Sequence, residues 1–206
     1  TGFKGSWTSM FLNYLGAKVY GFSLAPNTKP SLFNILNLSE VVQYQEGNIN
    51  DYDLLNKNMV EVNPDIVIHM AAQPLVRASY IDPLETFRTN VIGTSNVLQS
   101  ARFCESVKVI LNVTTDKCYE NKEDGKAFIE SDTLGGHDPY SSSKACSELV
   151  TDSFRKSYFN NIGVGVATAR AGNVIGGGDW SEDRLIPDVI RQVYENENLS
   201  IRNPKA

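Results

Sequence analysis

Three short apolar runs, separated by stretches with helical spacing, constrain this chain more than any other feature. Asp65-Ile66-Val67-Ile68-His69-Met70-Ala71-Ala72, Val107-Lys108-Val109-Ile110-Leu111-Asn112-Val113 and Gly163-Val164-Gly165-Val166-Ala167-Thr168-Ala169 read as buried strands. Between them, 83–104 (with Asn90 and Gly93 inside) and 140–158 carry apolar residues at helical intervals; Ala145, Leu149, Val150 and Phe154 mark the core-facing side of the second. A strand that is apolar on both faces must be covered on both. Strands alternating with helices therefore imply an α/β fold with a doubly wound parallel sheet, right-handed crossovers, and ligands beyond the carboxyl ends of the strands. The stretch 26–40 is expected to be a loop with a short helix, and the polar stretch 120–136 a surface loop.

The first residues fit the same scheme. Thr1-Gly2-Phe3-Lys4-Gly5-Ser6-Trp7 is a glycine-rich turn, and a helix is expected from about 6 to 15, with Trp7, Met10, Phe11 and Leu15 spaced along it and Gly16 as its stop. Lys18-Val19-Tyr20-Gly21-Phe22-Ser23-Leu24 then reads as a strand. Glycine-rich turn, helix and strand in this order make most of a nucleotide-binding βαβ unit, so the sheet is expected to be Rossmann-like. The strand that would open the unit is expected before residue 1. Two glycines by themselves also fit an ordinary loop.

Composition narrows the partners. A chain of 206 residues, 41% hydrophobic and 21% charged, can build one good core, or a domain and part of a second. A net charge of -5 argues against nucleic acid as a partner. No apolar run approaches the roughly 20 residues of a membrane span, and no signal peptide is visible. The cysteines Cys104, Cys118 and Cys146 are odd in number and lack metal-ligand spacing, and His69 and His137 stand far apart. No metal site is expected, and the thiols read as reduced, in a cytoplasmic protein.

The chemistry gathers at one sheet edge. Tyr140 and Lys144 lie four residues apart at the start of a helical pattern and so share one helix face. A free phenol titrates near ~10 and is a poor base at neutral pH; a fixed cation beside it favours the phenolate. Such a tyrosine can move a proton to or from a hydroxyl or carbonyl. Thr114-Thr115-Asp116-Lys117 ends the second apolar strand and Gln73 follows the first, which brings a hydroxyl, a carboxyl and an ammonium to the same edge. A helix cap or turn at 114–117, and a salt bridge between Asp116 and Lys117, are the plainer readings of those residues.

Four segments make the pattern more specific. They are Thr1 to Trp7 as quoted, Thr114-Thr115-Asp116-Lys117-Cys118-Tyr119, Leu134-Gly135-Gly136-His137-Asp138-Pro139-Tyr140-Ser141-Ser142-Ser143-Lys144, and Ala169-Arg170-Ala171-Gly172-Asn173-Val174-Ile175-Gly176-Gly177-Gly178-Asp179-Trp180. Over essentially its whole length the chain resembles the extended short-chain dehydrogenase/reductases, specifically the nucleotide-sugar 4,6-dehydratases and their CDP-glucose branch.

The resemblance implies a division into an NAD-binding domain over 1–169 and the beginning of a nucleotide-sugar-binding region over 170–206, with the remainder after Ala206. Gly2 and Gly5 match two of the family's three pyrophosphate glycines, with Phe3 and Lys4 between them. Ser23 stands where an acid often binds the adenosine ribose, and Asn48, followed by Ile49, stands where an aspartate usually meets the adenine. The missing acid leaves NAD against NADP open on local grounds; the family's internal redox cycle implies NAD. Ala71, Ala72, Gln73, Asn90, Thr114, Tyr140 and Lys144 complete the implied cofactor neighbours. Arg170, Asn173, Arg184 and Arg202 match positions at the sugar diphosphate, which suits the planar fork of arginine.

The resemblance also implies roles. Tyr140, tuned by Lys144, takes the sugar 4-hydroxyl proton while Thr115 steadies the oxygen; Lys117 removes the C5 proton and Asp116 protonates the departing 6-hydroxyl. Related dTDP- and GDP-sugar enzymes generally carry an acid where this chain has Lys117. A lysine acts as base only when partly neutral, which requires burial or a neighbouring cation. A 4-epimerase would use the same Tyr-Lys pair without Asp116-Lys117, and a redox-silent dinucleotide-binding regulator would be expected to lack the tyrosine. The family implies a homo-oligomer.

Overall fold

The structure is a computed structural model that describes residues 1–198 and 201. In chain order the elements are α1 (Phe3–Tyr14), β1 (Tyr20–Ser23), α2 (Leu32–Ile35), α3 (Leu38–Val41), β2 (Gln43–Glu46), α4 (Tyr52–Val62), β3 (Ile66–His69), α5 (Val76–Ile81), α6 (Pro83–Phe87), α7 (Gly93–Ala101), β4 (Val109–Thr115), α8 (Pro139–Phe154), β5 (Gly165–Ala171) and α9 (Leu185–Tyr194). This is a Rossmann-like α/β arrangement of parallel sheets and helices. Its strands are divided between a two-stranded sheet, β1-β2, and a three-stranded sheet, β3-β4-β5. In the smaller sheet Gln43 N donates to Val19 O at 3.1 Å and Gly47 N to Ser23 O at 2.9 Å, the constant offset that parallel strands require.

The chain forms two compact units. One comprises Thr1–Gly21, Ala25–Gln43 and Val174–Ala206; the other comprises Phe22–Leu24 and Tyr44–Asn173. In the first, the indole Nε1 of Trp7 donates to Gly177 O at 2.8 Å, which pins the glycine run to α1. Gly178 has φ +84, and a Cβ there would meet Leu32 Cδ1 at 2.6 Å, so only glycine suits the position.

The second unit holds the larger sheet. β3 and β5 flank β4 in parallel register, with Ile68 opposite Leu111 and Thr114 opposite Arg170. Leu55, Val67, Val97, Leu98, Ile110, Phe159 and Val166 form its core. Period-2 alternation puts Ile110, Asn112 and Thr114 on one buried face of β4. The two polar members meet α8: Asn112 Nδ2 donates to Ser147 Oγ at 3.0 Å and Thr151 Oγ1 at 2.8 Å, and Thr114 Oγ1 donates to Glu148. Ser143 and Ser147, both fully buried, let α8 approach the sheet closely while their hydroxyls satisfy buried polar partners.

Several elements depart from expectation. α1 begins at Phe3, three residues before its expected start, with Gly2 as an N-cap that supplies no side-chain bond. The stretch 26–40 holds the helix α2 and most of α3. β2, α4, α5 and α9 were not anticipated. β2, Gln-Tyr-Gln-Glu, has no apolar run; α4 does carry an apolar stripe, Tyr52, Leu55, Met59 and Val62, and Asp51 caps it by accepting from Leu54 N at 3.1 Å. β4 and β5 extend to Thr115 and Ala171, which places Thr114, Thr115 and Arg170 inside strands. The helix expected over 83–104 is interrupted by a π turn at Arg88–Ile92.

Candidate active site

Asp138 and Pro139 start α8. The Asp138 carboxylate accepts from Ser141 N at 2.9 Å and Ser141 Oγ at 2.6 Å, and Pro139 occupies the first turn, where no amide is needed. Tyr140 and Lys144 follow one turn apart, and both are buried. Lys144 Nζ donates to the Val113 carbonyl at 3.1 Å, so the ammonium is held where β4 delivers Thr114 and Thr115.

Asn90 ties this helix to the end of β3. Its side chain accepts from Gln73 N at 2.8 Å and donates to Gln73 O at 3.1 Å and Ser143 Oγ at 2.8 Å; Ser143 Oγ donates onward to the Tyr140 carbonyl at 2.7 Å. Gln73 Nε2 also donates to Thr86 Oγ1 at 2.9 Å. Ala71 and Ala72 lead into this loop, half-buried. The π turn carries Asn90, whose carbonyl accepts from Thr94 Oγ1 at 2.7 Å; such turns recur at functional sites.

The segment after β4 is a single 3-10 turn, Asp116–Cys118. Thr115 is buried, donates to Asp116 Oδ1 at 3.1 Å and accepts from Lys117 N at 3.3 Å. The hydroxyl thus caps the turn, as its plainer reading had it. Asp116 and Lys117 are both exposed, so this chain alone does not supply the burial that a neutral lysine base needs. No ion pair joins the two among the described residues. Buried Cys118 has its thiol pushed up to about 11 by burial and by the charge of Glu148, which makes it a poor nucleophile.

His69, Glu148 and Tyr119 were not singled out from the sequence. His69 is buried with Nε2 3.0 Å from Thr94 Oγ1. Thr94 gives its one hydroxyl proton to the Asn90 carbonyl, which assigns the Nε2 proton to His69. Burial first, and the Lys144 charge second, lower its pKa to about 3, so the ring is neutral. Glu148 did carry a sequence signal: it stands four residues beyond Lys144, on the same helix face.

Arg170, expected at the sugar diphosphate, has both terminal nitrogens turned to protein acceptors: Nη2 to Glu148 at 3.0 Å, Nη1 to Tyr119 Oη at 2.9 Å and Glu130 O at 3.0 Å. Its pKa is raised, chiefly by the Glu148 bond. Asn173 is exposed after β5. Arg202 lies outside the described residues.

In the other unit, Ser6 N donates to Gly2 O at 2.9 Å as the first helical bond of α1, so the amides of Phe3, Lys4 and Gly5 precede it. A Cβ at Gly2 or Gly5 would meet nothing within 4 Å. Burial, and then the charge of Arg184, hold the Lys4 ammonium below the usual lysine range. Arg184 Nε is buried without a hydrogen-bond partner, and an Asp179 carboxylate oxygen lies 3.8 Å away. Open space, early amides and the Lys4 ammonium fit the pyrophosphate of a dinucleotide. Back in the unit that holds the larger sheet, Ser23 Oγ at the end of β1 donates to Leu24 O at 3.1 Å; Asn48 Oδ1 accepts from Asn50 N at 2.9 Å, and buried Ile49 is held by Asn96 Nδ2 donating to its carbonyl at 2.9 Å.

Among the described residues no helix is long and apolar enough to cross a membrane, and no three His, Cys, Asp or Glu residues group as a metal site.

A dinucleotide-type fold carrying a buried Tyr-Lys pair at a strand edge defines a class, and residues 1–204 match the NAD dependent epimerase/dehydratase family. The chain belongs to that family. It is 49% identical over 209 aligned positions to CDP-glucose 4,6-dehydratase of Salmonella typhimurium, covering 99% of this chain and 58% of that protein. Human dTDP-D-glucose 4,6-dehydratase is 33% identical over 173 positions, covering 83% of this chain and 47% of that one. Among solved structures, dTDP-glucose 4,6-dehydratase of Streptomyces venezuelae, with NAD bound, superposes with TM-score 0.81 at 25% identity, covering 96% and 61% of the two chains. UDP-glucose 4-epimerase of Thermotoga maritima gives TM-score 0.84 at 24% identity, covering 97% and 62%, a likeness of fold. The chain thus spans about half to three fifths of the length of these relatives.

Proposed function

We propose that the intact protein converts CDP-D-glucose to CDP-4-dehydro-6-deoxy-D-glucose. The observation that carries this reading is the buried Tyr140-Lys144 pair, held by Val113 beside the strand end that bears Thr115, Asp116 and Lys117. The 49% identity to a CDP-glucose 4,6-dehydratase supports the choice of substrate.

Tyr140 takes the proton of the sugar 4-hydroxyl, and the adjacent Lys144 charge favours the phenolate. Thr115 donates to the C4 oxygen as its carbonyl forms. NAD, when bound, supplies the hydride acceptor for C4 and the hydride donor for C6. The new ketone acidifies C5, where Lys117 removes the proton and gives it back to C5 when C6 is reduced. Asp116 protonates the 6-hydroxyl, which leaves as water. Lys117 is exposed in this chain, and cover by bound substrate would favour the neutral amine that a base requires.

The pyrophosphate of NAD is assigned to Gly2, Phe3, Lys4 and Gly5; Ser23, Asn48 and Ile49 are assigned to the adenosine, and Ala71, Ala72, Gln73, Asn90 and Thr114 to the remainder. Asn173, Arg184 and Arg202 are assigned to the sugar diphosphate. The proposal includes an NAD-binding domain over 1–169, a nucleotide-sugar region beginning at 170, a homo-oligomer and a cytoplasmic location.

The intact protein, supplied with NAD and separately with CDP-, dTDP-, GDP- and UDP-sugars, tests the reading by mass spectrometry. Loss of one water from CDP-glucose alone is expected. An isomer of unchanged mass would replace dehydration by epimerisation, and no product from any sugar would sink the enzyme reading.

A further inference from the structure

Glu148 is buried, with its side chain 4% exposed, and its carboxylate gathers three donors from two strands. Thr114 Oγ1 donates from the end of β4, Thr168 Oγ1 from β5 at 2.8 Å, and Arg170 Nη2 from β5 at 3.0 Å. Burial works against the charge, but these three bonds outweigh it and hold the carboxyl below the usual range.

Arg170 carries the connection further. Its guanidinium stands 4.8 Å from the centroid of the Tyr119 ring and donates to Tyr119 Oη and to the Glu130 carbonyl. Tyr119 stacks on Phe128 at 4.6 Å and pairs with Leu134 in an isolated bridge. The Glu148 carboxylate therefore reaches both sides of the exposed Asp116-Lys117 pair: directly to Thr114 before it, and through Arg170 to Tyr119 after it. Within the turn itself the bonds are weak, with Lys117 N to Thr115 Oγ1 and Tyr119 N to Asp116 O both at 3.3 Å.

A buried ion pair is weak evidence of net stability, because desolvation offsets most of the attraction. What sets this pair apart is what it brackets. We infer that Glu148 and Arg170 are positioning residues that clamp the 114–119 turn to the helix bearing Tyr140 and Lys144, so that Asp116 and Lys117 are presented for the C5–C6 elimination. The inference rests on the dehydration reading for the step it names, and on the geometry alone for the clamp.

Two variants of the intact protein test it with NAD and CDP-glucose. Glu148→Gln keeps the shape and removes the charge; Tyr119→Phe removes only the hydroxyl that Arg170 reaches. Turnover is expected to fall by up to about 100-fold in E148Q, the scale of a misplacement of roughly 1 Å, and less in Y119F. Elimination should slow more than C4 oxidation, so reduced nicotinamide persists longer in the transient, with KM unchanged. Amide hydrogen exchange should quicken over 116–134 and stay constant over 139–154. Wild-type elimination rates in both variants would overturn the inference. So would equal loss of both half-reactions with faster exchange over 139–154 as well, the mark of a merely structural pair. If E148Q does not fold, Y119F decides alone. If wild type yields only an isomer, or nothing, the dehydration reading fails while the exchange comparison still decides the clamp.

Discussion

Lys144 Nζ donates to the Val113 carbonyl oxygen at 3.1 Å, joining α8 to the strand that delivers Thr114 and Thr115. The bond ties the ammonium, one helical turn from Tyr140, to the backbone of β4, which suits the tuning role proposed for it.

The two halves of the proposed reaction separate by mutation. Tyr140→Phe should lower C4 oxidation by about 100- to 10,000-fold, the usual contribution of a positioned acid or base. Lys117→Met should spare C4 oxidation and abolish water loss. Stopped-flow absorbance of reduced nicotinamide, read beside product mass, checks both; normal keto-sugar formation by K117M would remove Lys117 from its role.

Asn90 bonds to both backbone groups of Gln73 and to Ser143. Replacing it with alanine leaves buried partners without bonds, at a cost of about 2–3 kcal/mol. Urea unfolding of the Asn90→Ala protein should show that loss, with activity reduced because the Tyr140 turn loses its tie to the end of β3.

Gly136 packs against the first turn of α8: a Cβ there would lie 2.5 Å from Ser142 N and 2.6 Å from Ser141 C. The two nearest atoms are backbone, which cannot swing aside as the end of a long side chain would. Gly136→Ala should displace the turn that carries Tyr140, costing about 1–3 kcal/mol and a larger share of kcat than of KM. Thermal unfolding and steady-state kinetics together check it.

His69 gives a pH signature. Burial pushes its pKa down to about 3 in the folded chain, against about 6.5 for a free imidazole, so folding disfavours the charged ring. The unfolded chain takes up the proton first, and stability falls as pH drops from about 6.5 toward 3, by at most about 1.4 kcal/mol per pH unit. Denaturant unfolding at stepped pH should show this slope in wild type and a shallower one in His69→Gln. Equal slopes would show that the ring titrates alike in both states.

The sequence by itself determined what depends on local periodicity and local chemistry. Apolar runs marked β3, β4 and β5, helical spacing from Tyr140 onward marked α8, and the spacing of Tyr140 and Lys144 put them on one face. β2 escaped because it carries no apolar pattern, and the π turn because one extra residue per turn leaves no compositional mark; α4 was legible, since Tyr52, Leu55, Met59 and Val62 follow the Asp51 cap at helical spacing, and was overlooked. Arg170 was expected at the diphosphate from the family resemblance; strand register, with Thr114 opposite Arg170, sets it against Glu148. The tertiary structure likewise decided that His69 is a buried neutral ring near Lys144 and that Asn90 joins Gln73 to Ser143. These pairings bring together residues far apart in the chain, and their partners are chosen by how helices settle on a parallel sheet, which no local pattern encodes.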